Sequence, residues 1–206
     1  MVVDLFLRTI ALNAALMFAV FKATNYGSDQ LAAYGIGIQL WLFGAFFIDG
    51  YSSAGNILSG KLLGAKEYDT LVKLGKKLVM YGFFAGIFLT GVGFMFYNAI
   101  GKIFIQDTAV LTCFYDVFWL ILLMQPICAI TFIFDGMFKG MGYTAFLRNL
   151  LLLSTLLVFI PSLLIFDAYN YKLLGVWFTF SLWMIARGVP LLVKFRRKFL
   201  PLVEKQ

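Results

Sequence analysis

The chain has no histidine. That excludes a histidine-based catalytic triad, an imidazole zinc site and a histidine proton relay. Two cysteines, Cys113 and Cys128, are too few for a disulfide framework or a metal cluster. Cys128 sits in an apolar run beside Pro126 and reads as a small core residue. Charge is scarce as well, at 13% Asp, Glu, Lys and Arg, where soluble domains carry about 25%. Such a chain is neither intrinsically disordered nor a soluble enzyme. Nor is the start expected to act as a signal peptide: Asp4 and Arg8 interrupt it, and no short apolar region ends in a small-residue cleavage site. The first apolar segment is expected to stay in the membrane.

What is present is apolar bulk. The 206 residues are 62% hydrophobic, with 24 phenylalanines and a mean hydropathy of +0.91. That is too much apolar surface for one water-soluble core, so the expected class is an all-α, polytopic membrane protein in a lipid bilayer. A helix needs about 20 mostly apolar residues to cross about 30 Å of hydrocarbon. Segments of that kind lie at about 5–26, 30–58, 78–101, 115–138, 149–166 and 173–193. Six spans in one lobe, 1–206, is the expectation. Arg8 and Lys22 lie close enough to the ends of the first span to snorkel, and Arg187 lies near the end of the last. The second span must carry Asp49, which costs roughly 2.5–3.5 kcal/mol mid-membrane. Its leucines, isoleucines and phenylalanines return about 0.3–0.6 kcal/mol each, so insertion survives.

Basic residues set the expected orientation. With six spans both termini share a side, and of the 17 lysines and arginines only Lys22, Lys102 and Lys172 fall on the other. Lys61, Lys66, Lys73, Lys76, Lys77, Lys139, Arg148, the cluster at 194–198 and Lys205 fall with the termini, which are therefore expected in the cytoplasm. The +7 charge then needs no nucleic acid, and 194–198 reads as an anchor at anionic headgroups. The inner connections are expected around 60–77 and 139–148. Three glycine pairs four apart, Gly60/Gly64, Gly82/Gly86 and Gly136/Gly140, read as close helix contacts.

Polar residues inside spans are the candidates for function. Asp49 and Asn56 are seven apart and share a helix face with Ser52 and Ser53 between them, a stripe expected to face the bundle interior or a wet cavity. Asp135 has Lys139 at i+4, a pairing that would neutralise the carboxylate. Asn13, Gln39 and Gln125 are single polar residues in spans one, two and four. Pro126 and Pro161 fall mid-span, where proline kinks a helix and frees carbonyls. Asp49 and Asp135 are also the pair a two-carboxylate intramembrane protease would need, but the Tyr-Asp and Gly-x-Gly-Asp patterns of presenilin-like proteases are missing around them.

The stretch from Phe46 through Asp49 to Ala54, followed by Gly60-Lys61-Leu62-Leu63-Gly64-Ala65, resembles the eighth helix and following loop of multidrug and toxic compound extrusion (MATE) transporters, nearest to the DinF-like branch. Phe134-Asp135-Gly136-Met137-Phe138-Lys139-Gly140, with Arg148-Asn149 beyond it, resembles the tenth helix and the next loop. Leu7-Arg8-Thr9-Ile10 and Gly175-Val176-Trp177 are similar to parts of the seventh and twelfth. The resemblance implies the carboxyl-terminal six-helix half of a twelve-helix antiporter in a bacterial inner (plasma) membrane. It would export organic cations, drugs or other amphipathic compounds by alternating access. Its partner would be an amino-terminal lobe not present in this chain, or a second copy. No cofactor or metal is implied, and the coupling ion would be a proton or sodium. DinF-like relatives commonly have a glutamate where Asn56 stands, so proton coupling is not expected at that position. Met17 and Cys128 stand where the NorM-like branch places cation-binding carboxylates, and neither suits a hard cation. Coupling then falls to the other lobe, to Asp49 or to Asp135. A lipid-linked saccharide flippase of the same superfamily and a noncatalytic half-size membrane subunit are the alternatives.

Overall fold

Small side chains at three- and four-residue spacing set the architecture. In the computed structural model, which describes residues 2–203, helix α1 (Val2–Asn25) buries Ala11, Ala15, Ala19 and Ala23 along one line. Helix α2 (Ser28–Gly64) buries Ala33, Gly37, Gly44, Ser52, Gly55 and Ser59 among larger residues on one face. Then follow α3 (Tyr68–Met95), the short α4 (Tyr97–Phe104), α5 (Thr108–Leu123), α6 (Gln125–Gly140) and α7 (Thr144–Ser154). A π-helical turn (Thr155–Phe159) leads into α8 (Ile160–Ala168), and α9 (Lys172–Val203) closes the chain. The α2 stripe faces α6: Ser52 Oγ donates to the Phe132 carbonyl at 2.9 Å and Ser59 Oγ to that of Met137 at 2.9 Å. Small residues that let backbones approach are what holds helices together where lipid supplies no hydrophobic drive.

Five runs are long and apolar enough to cross a membrane: Val3–Asn25, Ser28–Gly64, Tyr68–Met95, Thr144–Ala168 and Lys172–Val203. A sixth candidate is the bent pair α5 and α6, which together pass the same length and composition test across a 50° bend at Met124. The segment expected at 115–138 runs instead over 108–140, and its bend falls beside Pro126, where a kink is expected. Pro126 explains the break, since it has no N–H for the Leu122 carbonyl and its ring crowds that carbonyl. The freed Leu122 oxygen accepts instead from Thr90 Oγ1 on α3 at 2.7 Å. Pro161 follows the π-helical turn of the next span.

The expected third span, 78–101, is also displaced. Its helix begins at Tyr68 and ends at Met95, while 97–104 forms the separate α4. The connections expected around 60–77 and 139–148 shrink accordingly to residues 65–67 and 141–143, because Lys61, Lys73, Lys76 and Lys77 sit within helices and only Lys66 of that group lies between them. A turn at Gly142 (φ 82°) makes the second connection, and one at Gly27 (φ 112°) joins α1 to α2, the conformation glycine adopts without strain.

Contacts sort the helix ends into two sets. At one end Arg148 and Thr144 hold Asp4, Lys198 donates to the Tyr143 hydroxyl, and Gly60 meets Gly140. At the other, Lys22 and Tyr26 both bond Asp167, and Tyr97 stacks on Tyr115. The first is the basic end; Lys205 lies outside the described residues. Within the 194–198 cluster Lys194 is half-buried, its Nζ 3.4 Å over the Phe146 ring. Two cores fill the bundle. One holds Trp41, Phe118, Trp177 and Phe180; the other, toward the basic end, holds Ile133, Met137, Leu191 and Phe195.

Candidate functional site

Between the two cores, α6 and α9 bring charges into the bundle. Asp135 is 6% exposed and Arg187 3%. Arg187 Nη2 stands 3.9 Å from Asp135 Oδ1, Lys139 Nζ stands 3.8 Å from Oδ2, and Arg8 of α1 pairs directly with Oδ2. Arg187 also lies 5.1 Å above the Trp183 ring and donates to the Met184 sulfur at 3.7 Å. The Lys139 partner was legible from i+4 spacing; the two arginines were not. Arg8 and Arg187 are expected from their positions to snorkel to the surface, but both point inward, because a buried carboxylate offers better compensation than a thin strip of headgroup. The only sequence signal was that charges within spans are rarely idle. One carboxylate faces three cations, and Arg8 Nε is buried without a hydrogen-bond partner. The cluster ties α1, α6 and α9 together, the work of an interhelical clamp.

The α2 stripe divides. A helix advances 100° per residue, so Ile48, Ser52, Gly55 and Ser59 share the buried face, and Asp49 and Ser53 turn out of it. Asp49 and Ser53 are exposed and Asn56 is half-buried, so of the two surroundings expected for the stripe, the interior of this bundle holds only Ser52. Among the described residues Asp49 has no ion pair or hydrogen bond, and nothing joins it to Asp135. The two-carboxylate arrangement is therefore not formed. Asn13 is exposed and donates to the Thr9 carbonyl of its own helix at 3.0 Å. Met17 is exposed, whereas Cys128 is buried and accepts from Trp41 Nε1 at 3.4 Å.

Gln39 and Gln125 both line a cavity of about 600 Å³ among α2, α3, α4, α5 and the start of α6. Its walls are mostly apolar, with Phe43, Phe46, Leu89 and Phe118 among them, and the volume is that of a small-molecule site. Gln125 is 4% exposed; its Nε2 donates to the Ile121 carbonyl at 3.3 Å, and its Oε1 has no partner. That oxygen fills the notch left by Gly44, 2.5 Å from where a Cβ would sit. Gln125→Leu removes an unsatisfied acceptor, so it is expected to leave stability unchanged or raise it by up to about 1 kcal/mol. Thermal unfolding in detergent measures this, and a clear loss would mean that Oε1 is engaged.

The MatE family model matches residues 5–164. Protein DETOXIFICATION 42 of Arabidopsis thaliana is 27% identical over 192 residues, covering 89% of this chain and 35% of that protein. An outward-facing conformation of a multidrug resistance MATE family transporter of the MOP superfamily matches with a TM-score of 0.86 at 16% identity, over 96% of this chain and 45% of that one. An inward-facing conformation matches with a TM-score of 0.84 at 16% identity, over 96% and 46%. This chain thus spans about a third of the curated relative and under half of the solved transporters. The family's members are transporters rather than enzymes. The chain belongs to the MatE family, the multidrug and toxic compound extrusion transporters.

Proposed function

We propose that the chain acts as the carboxyl-terminal lobe of an efflux antiporter, exporting organic cations or other amphipathic compounds in exchange for protons or sodium ions. Asp49 carries the reading. A carboxylate exposed on the middle of a membrane helix, without a partner in its own bundle, is expensive against lipid and belongs against a wet cavity or another protein surface. With Ser53 beside it and Gln39 further along the same helix, that surface is the wall of a cleft closed by an amino-terminal lobe or a second copy. Rigid rocking of two lobes about such a cleft is a common route to alternating access. The near-equal fold likeness to outward- and inward-facing structures, 0.86 and 0.84, supports a lobe that moves as a body.

The basic end would face the cytoplasm of a plasma (inner) membrane by the positive-inside rule, with both termini there. The DinF-like branch is part of the same reading. A flippase for pyrophosphate-linked lipids would want cations lining its cleft, whereas Asn13, Gln39, Asp49 and Ser53, exposed along α1 and α2, carry none, and the exposed Lys61 stands only in the last turn of α2. In a full-length protein joining this lobe to an amino-terminal one, Asp49→Asn is expected to abolish export of an organic-cation dye from inverted vesicles while membrane insertion stays intact. Undiminished export would remove Asp49 from the mechanism.

A further inference from the structure

Away from the cleft face, toward the basic end, α3 and α9 leave a crevice of about 270 Å³ between them. Gly75 opens it, since a Cβ there would meet the Phe195 ring at 2.7 Å. That contact brings the two helices together beside Lys76 and Arg196, the next residues along each. Both line the crevice, both are exposed, and among the described residues neither has a carboxylate partner. Lys73, one turn away, is by contrast paired to Asp69 at 2.6 Å. From the two cations toward mid-membrane the walls are apolar, with Val79, Met80, Phe83 and Leu192. Gly75 to Phe83 spans about 12 Å of helix at 1.5 Å per residue.

We propose that this crevice is a binding site for an anionic phospholipid, its phosphate held between Lys76 and Arg196 and one acyl chain laid along the α3–α9 groove. Charge and shape complement one occupant: two cations with no carboxylate partner among the described residues, hydrocarbon below them, and an opening to the side of the bundle. Basic pockets between membrane helices take phosphate headgroups for this reason. A zwitterionic lipid fits the groove but brings its own cation to the phosphate, so it gains less. The site would tether the outer flank of the lobe to the leaflet at the basic end. The assignment of that leaflet as cytoplasmic rests on the orientation proposed above; the binding itself does not.

The test uses the full chain purified in mild detergent and equilibrated with equimolar phosphatidylglycerol and phosphatidylcholine, retained lipid being counted by native mass spectrometry. The wild type is expected to retain about one phosphatidylglycerol in preference to phosphatidylcholine. The Lys76→Gln/Arg196→Gln protein should lose that preference by about tenfold or more, at roughly 1 kcal/mol per cation. Lys77→Gln/Arg197→Gln removes the same charge from the neighbouring positions, outside the crevice, and should behave as wild type. Val79→Trp keeps both cations but fills the groove and should also lower retention; it decides the matter if the double variant does not fold. Unchanged preference in the crevice variants, or an equal loss in the neighbouring pair, would overturn the site in favour of diffuse attraction to a basic surface.

Discussion

Asp135→Asn is expected to destabilise the bundle by about 3–5 kcal/mol, the cost of breaking a buried ion pair by removing one partner. The loss comes less from the missing attraction than from what remains: Arg187 at 3% exposure and Arg8 beside it, with no carboxylate to compensate them. Against a total stability of about 5–15 kcal/mol, that should sharply cut the amount of folded protein in the membrane and lower its unfolding temperature in detergent. Asp69→Asn is the matched control, because its pair with Lys73 is exposed and at i,i+4 spacing; such pairs contribute about 0.3–0.5 kcal/mol. Adding Arg8→Met to Asp135→Asn should recover part of the loss by removing one stranded cation. If Asp135→Asn folds as well as Asp69→Asn, the cluster is not a clamp, and Asp135 returns to the set of coupling residues.

The second large effect belongs to the α2–α6 seam. A Cβ at Gly140 would stand 1.8 Å from the Asn56 carbonyl oxygen, and one at Gly136 would stand 2.3 Å from that of Ser52. Those obstacles are backbone, so no rotamer change relieves them; the helices must part. Overpacking usually costs about 1–3 kcal/mol, and here separation would also stretch the Ser52–Phe132 and Ser59–Met137 hydrogen bonds. Gly140→Leu is therefore expected to leave little folded protein, and Gly140→Ala to lower the unfolding temperature clearly. Gly64→Ala, where nothing lies within 4 Å, should be neutral or slightly stabilising by helix propensity. Equal membrane levels and melting temperatures for Gly140→Ala and Gly64→Ala would show that the seam is not close-packed.

Much of the glycine logic was open to sequence reading. Of the three pairs spaced for close contact, Gly60, Gly82, Gly86, Gly136 and Gly140 all meet a neighbouring helix, and only Gly64 does not. The kink at Pro126 was legible too, since a missing N–H is a local property; that Thr90 would take up the freed carbonyl was not, because Thr90 is 32 residues away. The polar candidates divide along the same line. Lys139 and Asp135 lie on one helix and their pairing follows from pitch alone, whereas Arg8 comes to Asp135 across 127 residues.

The sequence by itself determined the class of molecule, the apolar runs long enough to cross a membrane and the family resemblance. Each rests on composition, local periodicity or motif, which do not depend on what lies across the bundle. Tertiary structure alone decided which way each polar side chain turns. Along α2 a step of one residue is 100°, so Ser52 is inside and Asp49 and Ser53 outside by virtue of where α6 packs. The same packing gathered two distant arginines around one carboxylate, because only assembled helices can bury charge and compensate it at once.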